Sequence, residues 1–283
     1  MISILHMIKL TNVFAWLIFL MLLSCKEKKQ TKQDNVVNDI TQLNPIVVKS
    51  IVTPTTINEI VDVVKSTNGP ISIGGGRFSM GGQTATENSI QIDMRKFNRI
   101  VSFSKEQKEI TVQAGIRWRE LIQFIDKYHL SVRIMQTYAN FTVGGSLSVN
   151  VHGRYVGEGP IIRSVKSIKV VLANGDVVLA RSTQNQDIFY AAIGGYGGIG
   201  IIVEATLWLT DNCKIERKDE IMDIKEYEQY FISKIKNNKS VIFNNADIYP
   251  NSFDEIRVVS YCKTTKNLTI KDRIKPNDGN YGF

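Results

Sequence analysis

The stretch from Pro70 to Gln83, Pro-Ile-Ser-Ile-Gly-Gly-Gly-Arg-Phe-Ser-Met-Gly-Gly-Gln, constrains this chain more than any other. Ile71 and Ile73 alternate as in a short strand, and the strand runs into a loop carrying Gly74, Gly75, Gly76, Gly81 and Gly82. A backbone without Cβ atoms can take positive φ and come close to a ligand. Successive N–H groups can then converge on one anion, and a diphosphate accepts several such bonds at once. The same cluster can equally be a wide turn between strands, so its company must decide. Two better known phosphate loops do not fit. A Walker A loop needs Gly-Lys-Ser/Thr, where this chain has Gly82-Gln83-Thr84, and the Rossmann fingerprint wants a glycine at Ser79.

Two further glycine clusters follow. Asn140-Phe141-Thr142-Val143-Gly144-Gly145-Ser146-Leu147-Ser148-Val149-Asn150-Val151-His152-Gly153 places a glycine pair after a small hydroxyl residue and ends on a lone histidine. Gly194-Gly195-Tyr196-Gly197-Gly198-Ile199-Gly200 contains a literal Gly-x-Gly-x-x-Gly. That match is a decoy. The fingerprint works by opening a helix onto the diphosphate, whereas Ile201, Ile202, Val203, Ala205, Leu207 and Leu209 continue as a strand.

Around these clusters the pattern alternates helix and strand, an α+β arrangement. Thr56-Ile57-Asn58-Glu59 has capping-box spacing, and Ile57, Ile60, Val61 and Val64 recur at helical intervals up to Asn68-Gly69. Residues 89–93, 99–103 and 109–113 read as strands, and an amphipathic helix runs through Trp118, Leu121, Ile122 and Ile125. Asn174-Gly175 marks a tight hairpin between strands at 165–172 and 177–179. Residues 187–193 suit a brief helix and 200–209 a long strand.

Lys9 precedes an apolar run from Val13 to Leu23, which ends in Leu22-Leu23-Ser24-Cys25. The run is shorter than the ~20 residues of a membrane-spanning helix, so residues 1–24 read as a signal peptide. Its end resembles a bacterial lipobox, which implies lipidation of Cys25 and a protein tethered to the cell envelope; an uncleaved signal anchor is the alternative. Residues 25–44 are polar and read as a flexible tether. The formal charge of +8 does not point to nucleic acid, because the basic residues are scattered and no basic, aromatic-interleaved motif occurs. Three cysteines, one of them the anchor, leave Cys213 and Cys262 as at most one disulfide and exclude a cysteine-rich metal cluster.

Taken in order, the glycine clusters resemble the flavin domain of the vanillyl-alcohol oxidase and p-cresol methylhydroxylase (PCMH-type) superfamily. The resemblance rests on Gly74-Gly75-Gly76-Arg77-Phe78-Ser79, Ile92-Asp93-Met94-Arg95 with Asn98, and Ala114-Gly115 before Trp118. Thr142-Val143-Gly144-Gly145 with His152-Gly153, and Gly198-Ile199-Gly200-Ile201-Ile202, complete it. Within the superfamily the chain is most similar to the aldonolactone oxidases and decaprenylphosphoryl-ribose oxidase. The resemblance implies an α+β fold of two subdomains over residues 45–211, with FAD between them, and the beginning of an α+β substrate cap over 212–283. The last residues show no terminating element, so the cap reads as incomplete.

Residue by residue, the resemblance puts the FAD diphosphate and ribityl chain on Gly74, Gly75, Gly76, Arg77, Phe78, Ser79, Met80, Gly81 and Gly82. It puts Thr142, Val143, Gly144 and Gly145 along the phosphates and the flavin edge, Val149, Asn150 and His152 close to the ring, and Ile201 at the adenine end. Many relatives tether the flavin through a histidine directly after the loop glycines. Arg77 stands there and cannot form that bond, which implies non-covalent FAD. The implied activity is oxidation of an alcohol carbon of a sugar, sugar lactone or related hydroxy compound, with His152 as the one catalytic candidate. A non-catalytic flavin-binding lipoprotein is the alternative.

Overall fold

The computed structural model describes residues 35–250 and 252–269. The signal peptide and Cys25 lie outside the described residues. Among these, no helix is long and apolar enough to cross a membrane.

The first layer is small and parallel. Strands β1 (Val36–Val37) and β2 (Ile46–Val47) form an antiparallel pair. β3 (Ser50–Val52), β4 (Ile71–Gly74) and β5 (Ile90–Asp93) make a parallel sheet in the order β3-β5-β4. Parallel neighbours need a crossover. Helix α1 (Ile57–Ser66) is the one between β3 and β4, with Thr56 Oγ1 accepting from Glu59 N and the Glu59 carboxylate reaching back to Thr56 N. Its buried face, Ile60 and Val64, belongs to the main core.

The second layer is antiparallel. β6 (Ile100–Ser104), β7 (Glu109–Gln113), β11 (Ile201–Asp211), β9 (Val165–Val171) and β10 (Val177–Ala180) pair in the order β10-β9-β11-β7-β6, and β8 (Leu130–Val132) joins the far end of β11. β11 is central because its near-continuous apolar run suits a strand with neighbours on both sides; Ile201, Val203, Ala205 and Leu207 are all buried. Helices α2 (Trp118–Asp126), α3 (Val143–Ser148) and α4 (Gln186–Ala192) complete this part, with Trp118, Leu121 and Ile125 fully buried. The Asn174-Gly175 hairpin closes as its sequence requires, with Gly175 at φ 84° and Leu172 N donating to Asp176 O at 2.9 Å.

The third layer is a sheet in the order β12 (Ile215–Asp223), β14 (Glu255–Lys263), β13 (Val241–Ile248), with α5 (Ile224–Tyr230) continuing as a π-turn to Ile235. It meets the second layer where Tyr155 bridges Phe243, their rings 4.7 Å apart. Cys213 and Cys262 are both free thiols.

One expectation is corrected. Residues 35–44, read as the end of a flexible tether, are packed against the rest: Val37 and Asp39 are each 1% exposed. Their polarity misleads because Asp39 is buried against hydrogen-bond donors, one of them more than forty residues away at Gly82.

Candidate functional site

Strand β4 ends at Gly74, and the loop that follows lies against α3. The approach is close enough that a Cβ on Gly75 would sit 2.3 Å from Thr142 Oγ1, and one on Gly144 would sit 2.8 Å from Ala114 Cβ. Thr142 caps α3 by accepting from Gly145 N at 3.3 Å. α3 is fixed from below by a buried chain in which Trp118 Nε1 donates to Ser146 Oγ, and Ser146 Oγ donates to Gln136 Oε1, both at 2.8 Å.

Between the two layers lies a cleft of about 430 Å³. Gly75, Ser79, Met80, Thr142, Gly144, Gly145 and Val149 line it, together with apolar Ile73, Met94 and Ile202. The structure thus brings together seven residues from two distant glycine clusters. Gly197, Gly200 and Tyr196 also line it, so the third cluster faces this cleft although it opens no helix. A smaller cleft of about 220 Å³ lies against the middle of the loop, lined by Gly76, Arg77, Phe78, Arg95, Arg117 and Asn140 among others.

Other predicted positions lie elsewhere. Gly74 and Gly82 are buried within the loop base, and Gly81 is exposed. Val143 is fully buried in the core. Ile201 pairs with Val171 and buries its side chain, while its neighbours Gly200 and Ile202 reach the cleft. Asn150, at φ 46°, accepts from Ile162 N. His152 is exposed, with its Nδ1 3.5 Å from Gly153 O, and is not part of either cleft lining.

Arg77, which the resemblance puts on the diphosphate, also has a carboxylate partner. In the structure Arg77 Nη2 meets Asp93 Oδ2 at 3.2 Å, and Arg95 grips the same carboxylate through Nε and Nη2, down to 2.5 Å. Burial works to raise the Asp93 pKa, but the hydrogen bonds from Arg95 and the charges of both arginines outweigh it and hold it below the usual carboxylate value. Burial and the charge of Arg95 push the Arg77 guanidinium down, against Asp93. Arg77 Nε is buried without a hydrogen-bond partner among the described residues.

Residues 48–181 match the family model of the FAD binding domain. Residues 48–181 thus form an FAD-binding domain of the PCMH type. Its cofactor is FAD. Among similar proteins, L-gulonolactone oxidase of Mus musculus is 29% identical over 54% of this chain and 36% of its own length. An uncharacterized oxidoreductase of Rhodococcoides fascians is 30% identical over 56% of this chain and 37% of its own. The mitochondrial L-galactono-1,4-lactone dehydrogenase of Arabidopsis thaliana is 28% identical over 53% and 25% respectively. The chain therefore matches between a quarter and 37% of the length of these relatives.

The residues present fit a flavin nucleotide. The backbone N–H groups of Gly76, Arg77, Phe78, Ser79 and Met80 find no acceptor among the described residues. Consecutive amides left open beside a cleft are what an anionic group such as a diphosphate satisfies. The apolar Ile73, Met94 and Ile202 supply a surface for a planar ring.

Proposed function

We propose that this chain binds FAD non-covalently between its first two layers, as part of an oxidoreductase acting on an alcohol carbon of a sugar, sugar lactone or related hydroxy compound. The observation that carries the reading is the run of open amides from Gly76 to Met80, whose Ser79–Met80 end lines one cleft with Gly75, Gly144 and Gly145 and whose Gly76–Phe78 part lines the smaller cleft beside it. The names of the relatives, lactone oxidases and dehydrogenases, support the substrate class.

When bound, FAD supplies the two-electron chemistry, accepting hydride at N5. The protein's part is to bind and orient. The Gly76–Met80 amides hold the diphosphate, the Thr142 cap fixes the glycine pair opposite, and Ile73 and Ile202 exclude water from the cleft walls. Arg77 and Phe78 follow the loop glycines, and neither carries the imidazole that a covalent flavin link there would need. A flavin held without that link is the weaker oxidant, so a quinone or other carrier is the proposed electron acceptor in place of oxygen. His152, exposed and with its Nδ1 near Gly153 O, is the proposed hydrogen-bond partner of the substrate hydroxyl. On the run ending in Ser24-Cys25 we also place the protein at the bacterial cell envelope, held by a lipid on Cys25.

The test is anaerobic reduction of the purified protein by candidate aldonolactones and sugars, followed by mixing with oxygen or with a quinone. Bleaching of the flavin by one of them and faster reoxidation by the quinone are expected. Reoxidation by oxygen alone would overturn the acceptor assignment, and a flavin that none of these compounds bleaches would overturn the substrate class.

A further inference from the structure

Residues 38–44 lie ahead of the matched domain, yet they hold its phosphate loop on three residues. Asp39 Oδ2 accepts from Gly82 N at 3.2 Å and from Asn44 Nδ2 at 2.7 Å. The same Asn44 Nδ2 donates to Met80 O at 3.0 Å, and Ile40 N donates to Arg77 O at 2.9 Å. Asp39 Oδ1 is taken by the N–H and hydroxyl of Thr41, at 2.9 and 2.5 Å. A carboxylate that is 1% exposed thus satisfies its acceptor sites with four uncharged donors.

We propose that Asp39 is a positioning residue for the cofactor: it clamps the glycine loop in the conformation whose open amides receive the FAD diphosphate. This rests on the flavin reading above. Glycine-rich backbone is the most mobile a chain can have, and ordering it on binding weakens affinity. Segment 38–44 removes that mobility beforehand. It ties down the Arg77 and Met80 carbonyls and the Gly82 amide, the last at φ 75°, while the Gly76–Met80 amides stay available. The clamp needs a carboxylate. An amide at position 39 would turn a donor toward Gly82 N and Asn44 Nδ2, or toward Thr41, and either choice breaks it.

The test compares Asp39→Asn and Asn44→Ala with the unsubstituted full chain. FAD affinity is read by flavin fluorescence titration, melting with and without FAD, and loop order by hydrogen exchange over residues 76–84 without FAD. Asp39→Asn is expected to weaken FAD binding at least tenfold, to shrink the FAD-induced rise in melting temperature, and to speed exchange in the loop. Asn44→Ala, which keeps the carboxylate, shifts all three in the same direction but less. A merely structural Asp39 would lower both melting temperatures equally and leave affinity unchanged, and that result overturns the proposal. If Asp39→Asn does not fold, unchanged affinity and loop exchange in Asn44→Ala overturn it instead. Should the unsubstituted protein take up no FAD, the flavin reading fails, and loop exchange still decides whether the clamp exists.

Discussion

Gly75 and Thr142 meet so closely that a Cβ on the glycine would stand 2.3 Å from the threonine Oγ1. That contact joins the phosphate loop to the α3 cap. Gly75→Ala must displace either the loop or Thr142, whose hydroxyl also accepts from Gly145 N. Overpacking of this kind costs about 1–3 kcal/mol. The expected outcome is a lower melting temperature and loss of bound flavin. Adding Thr142→Ala to Gly75→Ala should restore part of both, because the two residues share one contact and their effects are not additive.

Asp93 is the shared anchor of Arg77 and Arg95, and it is 5% exposed. Replacing it with Asn removes the negative charge that both guanidiniums face, and hydrogen bonds to charged groups contribute about 1.5–3 kcal/mol. Arg95 is partly exposed, so solvent screening places the loss toward the lower end, near ~1.5 kcal/mol. Chemical denaturation reads it.

The same carboxylate sets an acid limit. Its folded pKa is depressed below 3.8, the unfolded value. Its stabilisation is therefore fully present well above that value and is lost as pH falls through the folded pKa. Asp39 is lowered too, chiefly by the Thr41 hydroxyl, with burial opposing. Stability and flavin retention should both fall below about pH 4. Asp93→Asn should flatten the stability curve in that window, measured by melting temperature from neutral pH downward.

Ser146 relays between Trp118 and Gln136, all three buried. Ser146→Ala leaves the Trp118 N–H and the Gln136 amide without their partner, at a cost of about 1–3 kcal/mol per orphaned group. A destabilisation of at least ~2 kcal/mol is expected, with weaker FAD binding because α3 loses its floor. Equilibrium unfolding with and without FAD checks both.

His152→Ala should leave flavin content unchanged, since the side chain is outside both cleft linings. Reduction of the flavin by substrate should slow by about 100-fold, the scale of a lost acid–base or hydrogen-bonding partner. Stopped-flow reduction separates the two readouts.

Where periodicity and capping act locally, the sequence and the structure agree. Thr56 to Glu59 starts α1, the stripe through Trp118, Leu121 and Ile125 makes α2, and Asn174-Gly175 turns the hairpin. The gaps are physical. Strand β12, Ile-Glu-Arg-Lys-Asp-Glu-Ile-Met-Asp, is exposed along most of its length, so no alternation marks it. β13 extends past Phe243 through polar Asn244, Asn245 and Asp247, which mask a strand. α3 carries two glycines in six residues, contrary to helix propensity, and is held by the Thr142 cap and the Ser146 chain instead. The Asp39 clamp is invisible locally because its decisive donor, Gly82, is 43 residues distant.

The flavin assignment depends on bare amides of the Gly76–Met80 loop holding a diphosphate. Its most direct test is titration of flavin-free, folded protein with FAD, followed by acid precipitation. Saturable binding of one FAD per chain, full release of the yellow chromophore into the supernatant, and loss of binding in Gly75→Ala are expected. A folded protein that stays colourless in excess FAD, or colour that remains with the precipitate, would contradict it.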